Sequence, residues 1–540
     1  MRYAENLVEG RGLVFNEGEF VEGYTTLSWT LLLALFIRLG VDPVSAAQGL
    51  GILFYLGLVG GLLYWAGYRT RTTGPPWLPL AALLVLILDD FHEWATGGLE
   101  TMMFASLALW GLILTRMPAA GCRGPLAAGL CFALLTLTRL DGILIAGIGV
   151  LSWWIPWAPA NWRKSLNQSI LAGLPVAVTV AVWFAFKLAY YGDPFPTAYY
   201  SKSAADAYWS QGLTYLGLYV LKNWFIVGGV AAGWMLRKSS TGRGSRGDTA
   251  VFLGAGLLYL LYVTHSGGDF MFARRIVVVA PLFFLCFEEV VRRLPRIQYR
   301  LIACVLFVVA AACSIPVFSD ARPRVRRVSD ERRFYPAEFL AIRKTQAEVL
   351  ASAFRGADVR IGFEGGMLMF AYYSKLPYLA EMTGLTQYSL AKRPIARRGL
   401  PGHEKAPDRH WFEENRIHLL VRQLVPQEIQ AEEGTRPYND LRFGEMVKAE
   451  ILIYEDAIMD PLRQFPGVAF LPMDSLVVQA SENFHAADID ESERFLEQLR
   501  GYYFDHAGEE GKASAEALQS ILDQRRGMES PGPRIPRGDG

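Results

Sequence analysis

Apolar positions in the first three fifths of this chain run on in long blocks separated by short polar loops, and after residue 318 such blocks cease. A helix needs roughly 20 apolar residues to cross about 30 Å of hydrocarbon. The blocks at 45–68, 77–91, 99–115, 124–138, 142–158, 169–190, 223–236, 251–265, 276–291 and 301–318 therefore predict about ten spans, the shorter ones relying on neighbours or local thinning to cover their ends. The stretch 25–40 (TTLSWTLLLALFIRLG) is also apolar, but counting it would invert every later loop, so it is predicted as a helix lying in the outer interface. Beyond 318, strand-like runs at 359–363, 417–421, 450–454 and 475–480 alternate with helical patterns such as 336–354. The expected organisation is an outer loop with an interfacial helix (1–44), a transmembrane helical domain (45–318), an extracytoplasmic α/β domain (319–523) and a disordered, Pro/Gly/Arg-rich tail (524–540).

Orientation follows from the cations in short loops, which favour the cytoplasmic side. Arg69, Arg71, Arg116, Arg123, Arg163, Lys164 and the clusters at 237–246 and 292–300 fall in alternate loops, while the other loops are richer in Asp and Glu. This places residues 1–24 and everything after 318 outside. Composition agrees with a membrane protein: 52% of the 540 residues are hydrophobic and 19% charged, against about 25% charged in soluble domains. With Lys+Arg 53 and Asp+Glu 52 there is no basic excess of the kind nucleic-acid binding requires. The five cysteines show no metal or disulfide spacing and are expected as buried thiols.

Chemistry concentrates in four outward loops: DDFHEWATGGLE (89–100), TRLDG (138–142), YYGDPFPTAYYSK (190–202) and HSGGDFMFARR (265–275). Each joins Gly or Pro to charged and aromatic residues beside a span end. Arg139, Lys202, Arg274 and Arg275 are cations on the side that charge asymmetry disfavours, and a phosphate group would explain their presence there. The competing reading of each is a snorkelling side chain at the membrane edge. Asp269 is either a base or an ion-pair partner of Arg274. His92-Glu93 lacks the second histidine of a zinc helix, and His403, His410 and His418 are expected on the surface. No P-loop, dinucleotide fingerprint or metal-demanding carboxylate cluster appears, so metal ligands are none and divalent-cation dependence is left open.

RYAENLVEGRGLVFNEGEFVEGYTTLSWTLLLALFIRLGVDP, followed in order by WATGGLET, TRLDG, YYGDPFPTAYYSK, GGDFMFARR, MTGLT and GLPGHEK, resembles the GT-C type polyprenyl-phosphate-sugar-dependent glycosyltransferases, nearest the terminal arabinofuranosyltransferase group. The similarity extends from residue 2 to about residue 420 and rests on the order of the motifs, none being specific alone.

The resemblance implies a polytopic α-helical membrane protein with a C-terminal α/β domain, seated in a bacterial cytoplasmic membrane. It implies sugar transfer from a polyprenyl-phosphate-linked sugar to a cell-envelope glycan or lipid acceptor at the outer face. On this chain Arg139, Lys202 and Arg274, with Tyr199, become phosphate and donor ligands; Asp269 and Glu22 the carboxylates nearest the reacting centre; and Asp89, His92 and Glu100 acceptor-side candidates. In that family a further membrane helix and an acidic pair precede the RYAENL-like segment, and an aspartate there is the presumed base. This chain begins after that point, so a late-assigned start or an inactive, truncated homologue is expected. The rival functions are a flippase for a lipid-linked intermediate, which would show internal repeats and interrupted helices at the midplane, neither of which the spans display in sequence, and a catalytically inactive membrane scaffold.

Overall fold

The computed structural model describes residues 1–73, 78–117, 122–155, 161–203, 206–236, 243–364, 368–431 and 438–529. Contacts divide the chain into two units, Met1–Pro336 with Ile395–Glu404, and Ala337–Pro394 with Lys405 onward.

The first unit is helical. Among the described residues three helices are long and apolar enough to cross a membrane: Pro43–Thr72, Trp162–Tyr191 and Gly247–His265. Two broken pairs qualify if each counts as one span, Asp89–Thr96 with Thr101–Arg116, bent by 113°, and Trp209–Lys222 with Phe225–Ala231, bent by 96°. The first break falls at Gly97-Gly98, where Gly98 has φ +73°. Helix Trp209–Lys222 lies outside all the expected blocks because Ser210, Gln211, Thr214 and Lys222 interrupt its hydropathy. Shorter apolar helices such as Arg123–Thr138 and Ile297–Ala312, 16 residues each, reach only about 24 Å at ~1.5 Å per residue. The ten-span layout counts these as crossings too.

Packing follows from small residues. Helix Trp162–Tyr191 leaves Ile170, Leu174, Val178 and Val182 exposed at every fourth position, a lipid-facing stripe. Elsewhere it closes on Arg123–Thr138, where a Cβ on Gly129 would lie 2.5 Å from the Ala172 carbonyl oxygen, so only glycine permits the approach. At another point Arg69 bridges Asp248 (3.1 Å) and Glu289 (3.2 Å) while Arg116 holds Asp248 at 2.8 Å. Two cations expected to mark cytoplasmic loops are thus neutralised within the helix assembly.

The second unit carries a six-stranded sheet in the order Tyr378–Glu381, Arg360–Phe363, Leu419–Val421, Val447–Ile451, Asp440–Phe443, Val468–Ala469. The first three strands are parallel and the remaining pairings antiparallel. The strand expected at 475–480 is instead part of helix Met473–Ala486: Leu476, Ala480 and Phe484 are buried at a spacing of four, a helical period rather than alternation. The expected disordered tail is helical through Glu529, because the Ala-, Leu- and Gln-rich helix Gly508–Glu529 propagates past Arg525, whose guanidinium donates to the Ala487 carbonyl at 2.8 Å; residues 530–540 lie outside the described set.

Two further expectations are corrected. All five cysteines are free thiols, but Cys122 and Cys313 are exposed rather than buried, since both sit at helix ends. His418 is buried in the sheet, its Nδ1 accepting the Arg360 N–H at 2.9 Å, which is a structural use of the ring.

Candidate functional site: a cationic cluster at the helix ends

Three loops meet in the first unit. Arg139 leaves helix Arg123–Thr138 in extended backbone, φ −157°, and forks onto Asp141, Nε to Oδ1 at 3.2 Å and Nη2 to Oδ2 at 3.0 Å. Its Nη1 donates to Glu100 Oε1 at 3.2 Å, the oxygen that also takes Arg274 Nη2 at 2.9 Å. Arg275 Nη2 reaches Asp141 at 3.0 Å, and Tyr259 donates its hydroxyl to the same carboxylate at 3.3 Å. Asp269 lies 3.8 Å from Arg274. Bidentate guanidinium–carboxylate pairs of this kind fix geometry as well as charge.

The loop 265–275 is held rigidly. Gly268 has φ +74°, and a Cβ there would fall 2.6 Å from that of Tyr215. The Tyr215 hydroxyl in turn donates to the Met271 carbonyl at 3.2 Å and accepts the Arg275 N–H at 3.1 Å. Phe272 N–H donates to Ser329 O at 2.9 Å and Ser329 N–H to Phe270 O at 2.7 Å, stitching the loop to the hairpin that follows the last apolar helix.

Lys202 completes the group. Its stem passes Gly402 so closely that a Cβ there would lie 3.1 Å from Cε. Burial and the fields of Arg274, Arg275 and Arg139 hold its ammonium below the ordinary lysine range, with Asp269 acting in the opposite sense. Burial alone would raise Asp269; Lys202 and the three arginines outweigh it and keep the carboxyl ionised. Four cations thus face three carboxylates, Glu100, Asp141 and Asp269. The buried Nε–H groups of Arg274 and Arg275 have no acceptor among the described residues, and unmet buried donors are costly. The cluster therefore keeps buried donor capacity beyond what its three carboxylates take up.

Glu22 lies in a separate arrangement. Its carboxylate pairs with Lys187 at 3.0 Å, and Lys187 sits 4.0 Å from the centre of the Trp183 ring. Burial, against the attraction of Lys187, lifts the Glu22 carboxyl to about 7. The loop carrying it is pinned by the Tyr190-Tyr191 pair: Tyr191 donates to Leu13 O at 2.8 Å, and Tyr190 accepts the Leu13 N–H at 3.0 Å. Thr197 N–H donates to Glu22 O at 2.9 Å. Tyr199 stacks on Phe195 at 4.5 Å. Of the acceptor-side candidates, Glu100 is at the heart of the cluster. Asp89 is an exposed carboxylate 3.1 Å from Lys222, whose tighter partner is the buried Asp90 at 2.6 Å. His92 is exposed and edge-on to Tyr55 at 5.9 Å.

Two residues of the site escaped the sequence reading. Glu331, just past the hairpin, is a half-buried carboxyl raised to about 7 by burial and by Asp269. His403, expected on the surface, packs edge-on against Phe270 at 4.8 Å, and burial holds its ring neutral. Only the motif GLPGHEK signalled the latter; Glu331 sits in an ordinary charged run (SDERR). Among the described residues no group of three or more His, Cys, Asp or Glu is placed to hold a metal ion.

No protein-family model matches the chain. The terminal β-(1→2)-arabinofuranosyltransferase of Mycobacterium tuberculosis is 31% identical over 328 residues, 53% of this chain and 50% of that protein. The chain resembles the terminal arabinofuranosyltransferases. The protein of the same name from Corynebacterium glutamicum is 28% identical over 52% of this chain and 45% of its own length. The chain spans about half the length of the curated relatives it matches. The crystal structure of ArnT from Cupriavidus metallidurans bound to undecaprenyl phosphate superposes with a TM-score of 0.52 at 14% identity, covering 83% of this chain and 92% of that one. The two share the GT-C fold.

Proposed function

We propose that this chain is an integral-membrane glycosyltransferase that moves a sugar from a polyprenyl-phosphate donor to a cell-envelope glycan or lipid acceptor at the outer face of the cytoplasmic membrane. The observation that carries this reading is the cationic excess of the cluster: among the described residues, Lys202 has no carboxylate within ion-pair distance and two guanidinium N–H groups have no acceptor. A phosphate would satisfy all three. The names of the relatives, and the undecaprenyl phosphate bound in the ArnT crystal, support the same ligand class.

In this reading Lys202, Arg274 and Arg139 hold the donor phosphate, and the Tyr199 hydroxyl approaches it from the adjoining loop. As the bond from the anomeric carbon to the phosphate oxygen lengthens, negative charge grows on the leaving oxygen. Fixed cations stabilise it there, an effect of several kcal/mol. The acceptor hydroxyl loses its proton to a carboxylate beside the reacting carbon. Asp269 is held ionised by its neighbours, and Glu331, with a pKa of about 7, is matched to proton transfer near neutral pH. Glu22 holds the first loop against Lys187 and offers a further carboxyl of similar basicity. The α/β unit is extracytoplasmic in this arrangement.

Membranes containing the protein, incubated with radiolabelled polyprenyl-phosphate arabinose, are expected to label an alkali-stable glycan. Movement of label between leaflets without glycan labelling would instead identify a flippase, and neither outcome a scaffold.

A further inference from the structure

The second unit contains a cavity of about 390 Å³ between the edge of its sheet and helix Met473–Ala486, within the range of roughly 300–1,000 Å³ typical of small-ligand sites. One side presents the rings of Tyr438, Phe470 and Phe495, all partly exposed, with Tyr438 and Phe495 edge-on at 5.2 Å. Helix Met473–Ala486 contributes Gln479 and Asn483 to the lining, four residues apart and therefore on one helix face. Both are exposed, and neither side-chain amide has a hydrogen-bond partner among the described residues. The floor contains Asp440, only 8% exposed, whose Oδ2 takes Arg442 Nε at 2.8 Å and whose Oδ1 is buried without a hydrogen bond, Lys448 standing off at 3.7 Å.

We propose that this cavity binds a neutral oligosaccharide. A sugar hydroxyl is donor and acceptor at once, and free carboxamides plus a carboxylate oxygen lacking a donor are the complement of adjacent hydroxyls. Aromatic faces in the lining suit the apolar C–H face of a sugar ring. Among the described residues Arg442 is committed to Asp440 and to the Ile429 carbonyl at 3.1 Å, and Lys448 stands 3.7 Å from Asp440, so neither is a spare cation for a phosphate. That separates it chemically from the cluster around Lys202. Equating this saccharide with the glycan acceptor rests on the transferase reading; the binding itself does not.

The test uses the full chain in lipid nanodiscs and saturation-transfer NMR with a β-(1→2)-linked arabinofuranose disaccharide, maltose and inorganic phosphate as probes. One or both neutral disaccharides should receive saturation. The double variant Gln479→Ala/Asn483→Ala, altered only at exposed positions, should bind about tenfold more weakly with unchanged thermal melting, since each lost hydrogen bond contributes on the order of a few-fold. Lys202→Ala should bind the disaccharide as the parent does. No saturation by either sugar, undiminished binding in the double variant, or preference for phosphate would each overturn the proposal. Lipid-donor transfer is read in parallel: transfer without saccharide binding removes this inference and leaves the transferase reading standing, whereas binding without transfer does the reverse.

Discussion

Glu100 and Arg274, 174 residues apart in sequence, meet at 2.9 Å, on the carboxylate oxygen that Arg139 also contacts at 3.2 Å. Through that one oxygen the loop following one span is locked to the loop preceding another. Arg139 also forks onto Asp141 and Arg274 lies 3.8 Å from Asp269, so this oxygen is one node of a continuous charge network.

Lys202 is the cation of the cluster whose loss disturbs the least structure, having no carboxylate within ion-pair distance among the described residues. Lys202→Ala should lower transfer by about 100-fold or more with little change in thermal unfolding. Radiolabel incorporation and a melting curve measured on one preparation check this; undiminished transfer would remove Lys202 from the mechanism.

The pH profile tests Glu331. A base must be ionised to accept a proton, so kcat/KM should be constant above its pKa of about 7 and fall tenfold per pH unit below it. In Glu331→Gln that acid limb should vanish together with most of the rate. An unchanged limb near pH 7 would assign proton transfer to Glu22, whose carboxyl is also lifted to about 7.

The buried Glu22–Lys187 pair predicts a non-additive stability pattern. Lys187→Met leaves a buried carboxylate and should cost about 3–5 kcal/mol, while Lys187→Met with Glu22→Gln should cost much less. Unfolding in mixed micelles gives both values, and equal costs would refute the coupling.

Backbone geometry predicts a contrast between two glycines. Gly268→Ala places a Cβ against Tyr215 at φ +74° and should lower both stability and transfer, whereas Gly254→Ala, with open space around a helical position, should change neither. Equal behaviour would show that the 265–275 loop tolerates displacement.

The ends of the molecule furthest from chemistry should respond differently again. Asp248→Asn removes the shared partner of Arg69 and Arg116, so thermal stability should drop while the KM for the lipid donor stays at the parent value. A raised KM would tie this ion network to the donor.

What could be read from the sequence was what depends on continuous local pattern. The long helices Pro43–Thr72 and Trp162–Tyr191 were visible because uninterrupted apolar runs have one physical use. Arg139, Arg274 and Lys202 stood out because cations violate the charge asymmetry of outward loops. Helix Trp209–Lys222 was invisible because it is amphipathic and polar residues break its hydropathy. The strands Tyr378–Glu381 and Asp440–Phe443 were invisible because the buried charged residues Glu381, Asp440 and Arg442 break their apolar runs. Glu331 is tied to the cluster through the field of Asp269 and His403 through its ring contact with Phe270, tertiary relationships with no local signature.

The short stretch Ile395–Glu404 clusters with the helical unit although the residues on both sides of it belong to the other one. Severing the chain after Pro336 would therefore not liberate the whole helical unit. It would strip Gly402 from beside Lys202 and His403 from beside Phe270, so a truncated version would carry an altered cluster, not a smaller copy of this one.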